Sequence, residues 1–315
     1  MKILLWQTAY LGDVVLATPL IRSLRESFPS SHIAFVGRSF IRDLLKGFDI
    51  ELITFDKGVW ESFELLGRLR RERYDAAISP HVSARTALIL YTSGIPIRVG
   101  FYRSELPWLY THKVKHSWRM HEVDRNLQLL KPIGAKSFYR MPLLLVEEEE
   151  KRQVIQKFNL PKEFLLIAPF SNFRLKEWHL EGWLKLIGLI PLPVLIVGTQ
   201  RDVERSRRLE GKNTINLVGK TSLRELMAMV SLSKVVIACD SSPIHIANAL
   251  GIPAISIYTS TTPDYGFYPL IGHYLKPDLS CSPCSPNPKS CKTGTQACLS
   301  KVEAGEVWEK LKLLI

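Results

Sequence analysis

Apolar residues in this chain come in short β-rich runs, and amphipathic stretches separate the runs. In the first half KILLW (2–6) predicts a strand and GDVVLATPLIRSLRESF (12–28) a helix. HIAFVG (32–37) and SFIRDLLKG (39–47) repeat the pair, the helix ending at Gly47. IELITF (50–55) is followed by a helical pattern over 60–74, and DAAISP (75–80) by one over 84–94 with Gly94 just past its end. IRVGF (97–101) reads as a strand, and 121–134 as a helix closed by Pro132 and Gly134. Strands alternating with helices predict a parallel sheet with helices on both faces.

The rhythm breaks near YRMPLLLVEEEEK, where a proline and four acids precede a new helical pattern through Phe158. Carboxylates suit a helix N-terminus, so the acid run reads as a helix start. The domain boundary is placed here, giving domains 1–145 and 146–315. The second half repeats the scheme with strands at 164–170, 193–198, 214–219, 234–240 and 253–259, the last clear strand. Helices fall at 181–190, 201–211, 222–233, 242–251 and, after a cysteine-rich stretch, 304–315. Two consecutive Rossmann-like domains are expected. Ligands in such sheets sit at the carboxyl ends of the strands, and a cleft between two domains suits two substrates.

The 315-residue length supports two cores, and 46% hydrophobic with 23% charged residues is ordinary for a globular protein. No run approaches the roughly 20 apolar residues of a membrane helix. The opening segment reads as a buried strand and not as an export signal, so a cytosolic protein is expected. Net charge is +12, and the excess lies mainly up to Val146, with 21 Lys and Arg against 13 Asp and Glu. Such a balance favours anionic partners: nucleic acid, acidic lipid or a phosphorylated substrate. Cys281, Cys284, Cys291 and Cys298 are spaced C-x2-C-x6-C-x6-C. That pattern is open to a metal site or a capped loop; its spacing is wider than that of zinc ribbons, which favours the loop.

Four places carry chemistry. Gly12 and Asp13 follow the first strand; Asp13 can take a proton from a hydroxyl nucleophile or simply cap the helix, and spacing leaves both open. Gly12 would allow a tight turn and close approach of a substrate. Asp240, Ser241 and Ser242 open a helix after a strand, a ready anion site suited to a diphosphate, with His245 one turn in. Ser171, Asn172 and Lys176 follow another strand, and Lys176 could stabilise an anionic leaving group. Arg85, His116, Arg119 and Arg125 are candidates for holding an anionic acceptor. Phe101, Tyr102, Trp108 and Tyr110 lie among basic residues, which suits a membrane surface or nucleic acid, while a scattered basic loop fits equally. The G-x-G-x-x-G fingerprint is missing from the first strand–helix turn, which disfavours a nicotinamide oxidoreductase.

Taken together, KILLWQTAYLGDVVLATPLIRSL, RRERYDAAISP, SARTALILYTSGIPIRVGF, RLKEW, CDSSPIHIANALG and YTSTTPDYGFYP resemble glycosyltransferase family nine, the ADP-heptose:lipopolysaccharide heptosyltransferases. The resemblance spans nearly the whole chain. The tail CSPCSPNPKSCKTGTQACL is similar to that of the members that add the second heptose, heptosyltransferase II. The resemblance implies an α/β GT-B fold, two Rossmann-like domains facing each other across a cleft. The first would bind acceptor and the second the ADP-sugar. It implies inverting transfer with no metal and no cofactor, from ADP-L-glycero-D-manno-heptose to the anionic lipid A inner core. The enzyme would be a monomer, peripheral at the cytoplasmic face of the inner membrane, with no nucleic-acid partner. Asp13 matches the general base, and Lys176 the lysine that contacts the donor phosphates and sugar. Asp240, Ser241, Ser242 and His245 fall on the D-[ST]-G-x-x-H donor motif, Ser242 standing where glycine is usual. Gly12, Ser171 and Asn172 join the donor set, and Asp202 lies where an acidic residue contacts the nucleoside. Alternatives are heptosyltransferase I, another nucleotide-sugar transferase of the family, or a non-catalytic basic module that binds anions or membrane.

Overall fold

In the computed structural model, which describes residues 1–315, every strand pairing is parallel. The chain forms two units, Met1–Leu145 and Val146–Ile315. The first contains strands β1 (Lys2–Trp6), β2 (His32–Gly37), β3 (Glu51–Thr54), β4 (Ala76–Ser79), β5 (Ile97–Phe101) and β6 (His112–Val114). Its helices are α1 (Leu11–Val15), α2 (Thr18–Ser27), α3 (Ile41–Leu44), α4 (Val59–Glu72), α5 (Ala84–Thr92) and α6 (Glu122–Gln128). Ile3, Leu4, Leu5 and Trp6 are all fully buried. A strand covered on both faces must be apolar at every position, which is why KILLW shows no alternation.

The second unit contains β7 (Leu165–Ala168), β8 (Val194–Ile196), β9 (Thr214–Asn216), β10 (Val236–Cys239), β11 (Ala254–Ile257) and β12 (Gly272–Leu275). Its helices are α7 (Glu148–Phe158), α8 (Leu180–Leu189), α9 (Val203–Ser206), α10 (Leu223–Leu232), α11 (Ser242–Ala249), α12 (Cys298–Lys301) and α13 (Ala304–Leu311). Trp178, Trp183, Leu186 and Val307 pack with the buried faces of β7, β8, β10 and β11 to make its core.

The two sheets have the same topology. Strand order is β3-β2-β1-β4-β5-β6 in the first and β12-β11-β10-β7-β8-β9 in the second. Each order reverses direction once, between β1 and β4 and between β7 and β10. Adjacent strand ends diverge there, and the loops beyond them line a crevice.

The expected elements are present, with several differences. The helix expected over 12–28 is broken in two. Pro19 has no N–H to bond the Val15 carbonyl, and the Thr18 hydroxyl donates to that carbonyl instead, at 2.7 Å. The helix expected over 39–47 is confined to Ile41–Leu44. The helix expected over 201–211 is one short α-turn flanked by 3₁₀ turns. Finally, β6 and β12 were not expected as strands. Both are short sheet edges with exposed polar positions, so they lack the apolar run that marks a central strand. No helix is long and apolar enough to cross a membrane.

Candidate active site

In the second unit the loops after β7, β10 and β11 converge at the switch point. Lys176 lies in a 3₁₀ turn after β7, and Asp240 immediately follows β10. Lys176 Nζ donates to Asp240 Oδ2 at 2.8 Å, and Thr261 Oγ1 donates to the same oxygen at 2.9 Å. Both side chains of the ion pair are mostly buried, at 14% and 12% exposure, so little water screens it. Thr259 Oγ1 and Ser260 Oγ each donate to the Leu175 carbonyl at 2.6 Å, which fixes the backbone beside Lys176. An ammonium has three protons, so Lys176 can keep Asp240 and still donate to a phosphate oxygen.

α11 begins at this point. Ser241 is its N-cap, Ser242 its first residue, and Pro243 follows where a missing N–H costs nothing. The Ser241 hydroxyl donates back to the Cys239 carbonyl at 3.1 Å. The positive end of the helix thus stands beside Lys176, a setting that suits an anion. His245 is 6% exposed, with its ring 6.3 Å from that of Phe267. Cys239 is buried beneath the site and its thiol is pushed up to about 12 by burial, so it is a packed neutral group.

A second network holds the loops after β7 and β8. Glu177, buried next to Lys176, accepts the Ser171 N–H at 3.0 Å and pairs with Arg205 through both carboxylate oxygens. Arg205 Nη1 continues to Asp202 Oδ1 at 3.3 Å. Asp202 Oδ2 accepts the Thr199 N–H at 3.1 Å and its hydroxyl at 2.6 Å. Asn172 Oδ1 accepts from Arg201 at 2.6 Å. Ser171 and Asp202 are therefore joined through Glu177 and Arg205, while Asn172 pairs with Arg201. Sequence reasoning missed Glu177, Arg205 and Thr261. The signal for Glu177 was an acid within RLKEW; the signal for Thr261 was the hydroxyl run after β11.

In the first unit, Asp13 lies in the first turn of α1 and accepts the Tyr10 N–H at 3.1 Å. Gly12 is buried within α1 and has no positive φ. Thr8 Oγ1 lies 3.3 Å from His81 Nδ1, joining the loops after β1 and β4. Thr86 and Ser83 hydroxyls reach the same nitrogen at 2.8 and 3.2 Å. Burial and then the charge of Lys57 push His81 down to about 4, against a smaller opposing effect of Glu105, so the ring is neutral near pH 7.

Arg85 donates to the Lys57 carbonyl. Lys57 holds a left-handed backbone at φ 71°, and burial, Arg38 and Arg85 lower its ammonium below the usual lysine range. Arg38, Lys57 and Arg85 thus form a cationic group beyond β2, β3 and β4, of which only Arg85 was singled out from sequence. His116 accepts from Arg103 at 3.0 Å and is pushed down to about 4 by burial, Arg103 and Arg125. Arg119 is exposed. Arg125 does not stand on the surface expected of it. Its side chain is 1% exposed, bonded to Glu122 at 2.7 Å and stacked 5.3 Å from the Trp118 ring, so its charge is spent inside the fold.

All five cysteines are free thiols. No three of the chain's His, Cys, Asp and Glu side chains are gathered as metal ligands. The cysteine-rich segment is tied to the loop after β11: Cys284 N–H donates to the Ser260 carbonyl and Ser282 Oγ to the Thr259 carbonyl, both at 2.8 Å. Cys291 is pulled down to about 7 by the Thr293 hydroxyl and nearby backbone N–H groups.

Paired parallel sheets of identical topology make a GT-B architecture, and the anion-suited site lies at a switch point of the second sheet. The family model described as glycosyltransferase family 9 (heptosyltransferase) matches residues 62–294. The chain belongs to that family and is an enzyme of the heptosyltransferase class. It is 27% identical over 304 residues to lipopolysaccharide heptosyltransferase 2 of Escherichia coli K12, covering 87% of this chain and 86% of the relative. It is 26% identical over 285 residues to lipopolysaccharide heptosyltransferase 3 of the same strain, covering 80% of each. The solved structure of E. coli ADP-heptose LPS heptosyltransferase II superposes with a TM-score of 0.83 at 23% identity, over 100% of this chain and 98% of that one.

Proposed function

We propose that this enzyme transfers heptose, with inversion, from ADP-L-glycero-D-manno-heptose to the inner core of lipopolysaccharide, in the manner of heptosyltransferase II. The observation that carries the reading is the convergence of Lys176, Asp240, Thr261 and the α11 N-terminus in a chain of this family. A diphosphate leaving group gains charge as its bond to the sugar breaks, and a fixed ammonium and a helix N-terminus stabilise that charge. Asp13 accepts the proton of the acceptor hydroxyl as its oxygen attacks the anomeric carbon. The carbon–oxygen bond to the diphosphate breaks, and ADP departs. The sugar passes through a state with oxocarbenium character, as in glycoside hydrolysis.

The first unit takes the acceptor, with Arg85, Arg119 and His116 joined by Arg38 and Lys57 in facing its phosphates and acidic sugars. The second unit takes the ADP-sugar. In this reading Ser171, Asn172 and Asp202 contact the ADP-sugar, and support for it is that Glu177 and Arg205 hold the loops of Ser171 and Asp202 together. Neither metal nor cofactor takes part, and the enzyme acts as a monomer, peripheral at the cytoplasmic face of the inner membrane.

The test is transfer of heptose from purified ADP-heptose to defined core acceptors, read by mass spectrometry. Extension of an acceptor that already bears one heptose is expected. Extension only of an acceptor with no heptose would move the assignment to the first transfer, and addition to neither would overturn it.

A further inference from the structure

We propose that the outer face of α4 and α5 docks on an anionic lipid bilayer. The inference rests on the reading of the acceptor as lipid-linked. α4 opens with Val59, Trp60 and Phe63, which are 70%, 81% and 64% exposed. Trp60 and Phe63 are one helical turn apart on one face, their ring centroids 6.3 Å from each other. On α5, Leu88 and Tyr91 stand out to solvent at the same spacing, 48% and 53% exposed. Side chains of this size scattered singly need no explanation, but several gathered on neighbouring helices mark a contact surface.

The two helices are held side by side. Arg85 donates to the Lys57 carbonyl at the amino end of α4, and Arg70 Nε and Nη2 donate to the Thr92 carbonyl at 3.1 and 2.9 Å at the other. Phe63 and Leu88 fall between these ties. Further along α4, Arg70 and Arg71 are exposed, and Arg98 lies 5.5 Å over the Tyr91 ring. Of the nearby acids, Glu61 is turned onto the Asp56 and Gly58 N–H groups at 3.0 Å each, and Glu64 is exposed.

Exposed aromatic rings beside arginines are the composition that settles at the headgroup level of a bilayer. Aromatic rings with arginine also occur in contacts between proteins, but the positive balance of the first half is complementary to acidic lipid and favours the bilayer. α4 is 14 residues long, too short to span, so it would lie along the surface.

The experiment is co-sedimentation of the full chain with vesicles of phosphatidylethanolamine and phosphatidylglycerol at low and high salt. The wild type is expected to bind, more weakly as salt screens the arginines. The Trp60→Ser/Phe63→Ser double variant should bind at least about tenfold more weakly with the same melting temperature. It should transfer to a deacylated, water-soluble acceptor as the wild type does, and lose transfer to the same acceptor embedded in vesicles. Equal vesicle binding by wild type and variant, or none by the wild type, overturns the proposal. A wild-type dimer dissolved by the double substitution, with no vesicle binding, would assign the face to a second copy instead. Absence of transfer by the wild type to the soluble acceptor would count against the proposed reaction alone, because the vesicle binding is measured without it.

Discussion

Lys176 and Asp240 are 64 positions apart in sequence and share a hydrogen bond at the end of two adjacent strands. Their position separates a binding role from a chemical one. Lys176→Ala removes a charged donor from the anion site, so the dissociation constant for the ADP-sugar should rise about 10- to 100-fold in calorimetry. An unchanged constant would place Lys176 outside the site. Asp13→Ala should leave that constant alone and slow turnover by about 10²- to 10⁴-fold, the usual share of a general base. Near-normal turnover would remove Asp13 from that role.

His81 gives a residue-scale test of stability. Its folded value of about 4 lies below the ordinary 6.5, so the unfolded chain takes up the proton first as pH falls. The stability its neutral ring provides is complete above about pH 6.5 and is lost on descent to about pH 4. His81→Gln should make the fall in melting temperature across that window shallower. An unaltered slope would show that His81 is not the group responsible, and His116, displaced in the same direction, would be the next to vary.

At the scale of elements, the central strands were legible because burial on both faces demands unbroken apolar runs. KILLW and VVIAC carry that demand in their composition. Of the four edges, β6 and β12 were not legible, since a strand bonded on one side tolerates His, Lys and Tyr. The start of β12 depends instead on backbone freedom. Gly272 has φ of 119°, and a Cβ there would lie 2.0 Å from the Ala254 carbonyl oxygen. Gly272→Ala should therefore lower stability by about 1–3 kcal/mol, measured by denaturant unfolding. A neutral result would mean the edge strand shifts at little cost. Helix length was overestimated at 12–28, where Pro19 cannot bond the Val15 carbonyl and the Thr18 hydroxyl takes it instead.

At the scale of the molecule, the loops assigned to the ADP-sugar after β7, β8, β10 and β11 all belong to the unit Val146–Ile315. Adding ADP should slow amide hydrogen exchange in the segments 171–177 and 240–245, since ligand binding stabilises what it touches. Protection limited to residues before Leu145 would place the nucleotide elsewhere. The +12 charge belongs to this scale as well, because it sets attraction to anionic surfaces without choosing a fold.

Sequence alone determined the two repeats of strand and helix, the central strands, and the positions of Asp13, Lys176 and Asp240 at strand ends. Those features are local: a run of apolar side chains or a residue following a strand is written in consecutive letters. Only the tertiary structure decided that Thr261 shares an oxygen with Lys176, that Glu177 and Arg205 clamp two loops, and that Arg125 turns inward to Glu122. Such partners come from distant segments or from burial, and a charged side chain has no mark in sequence to say whether it ends in water or in a closed pair.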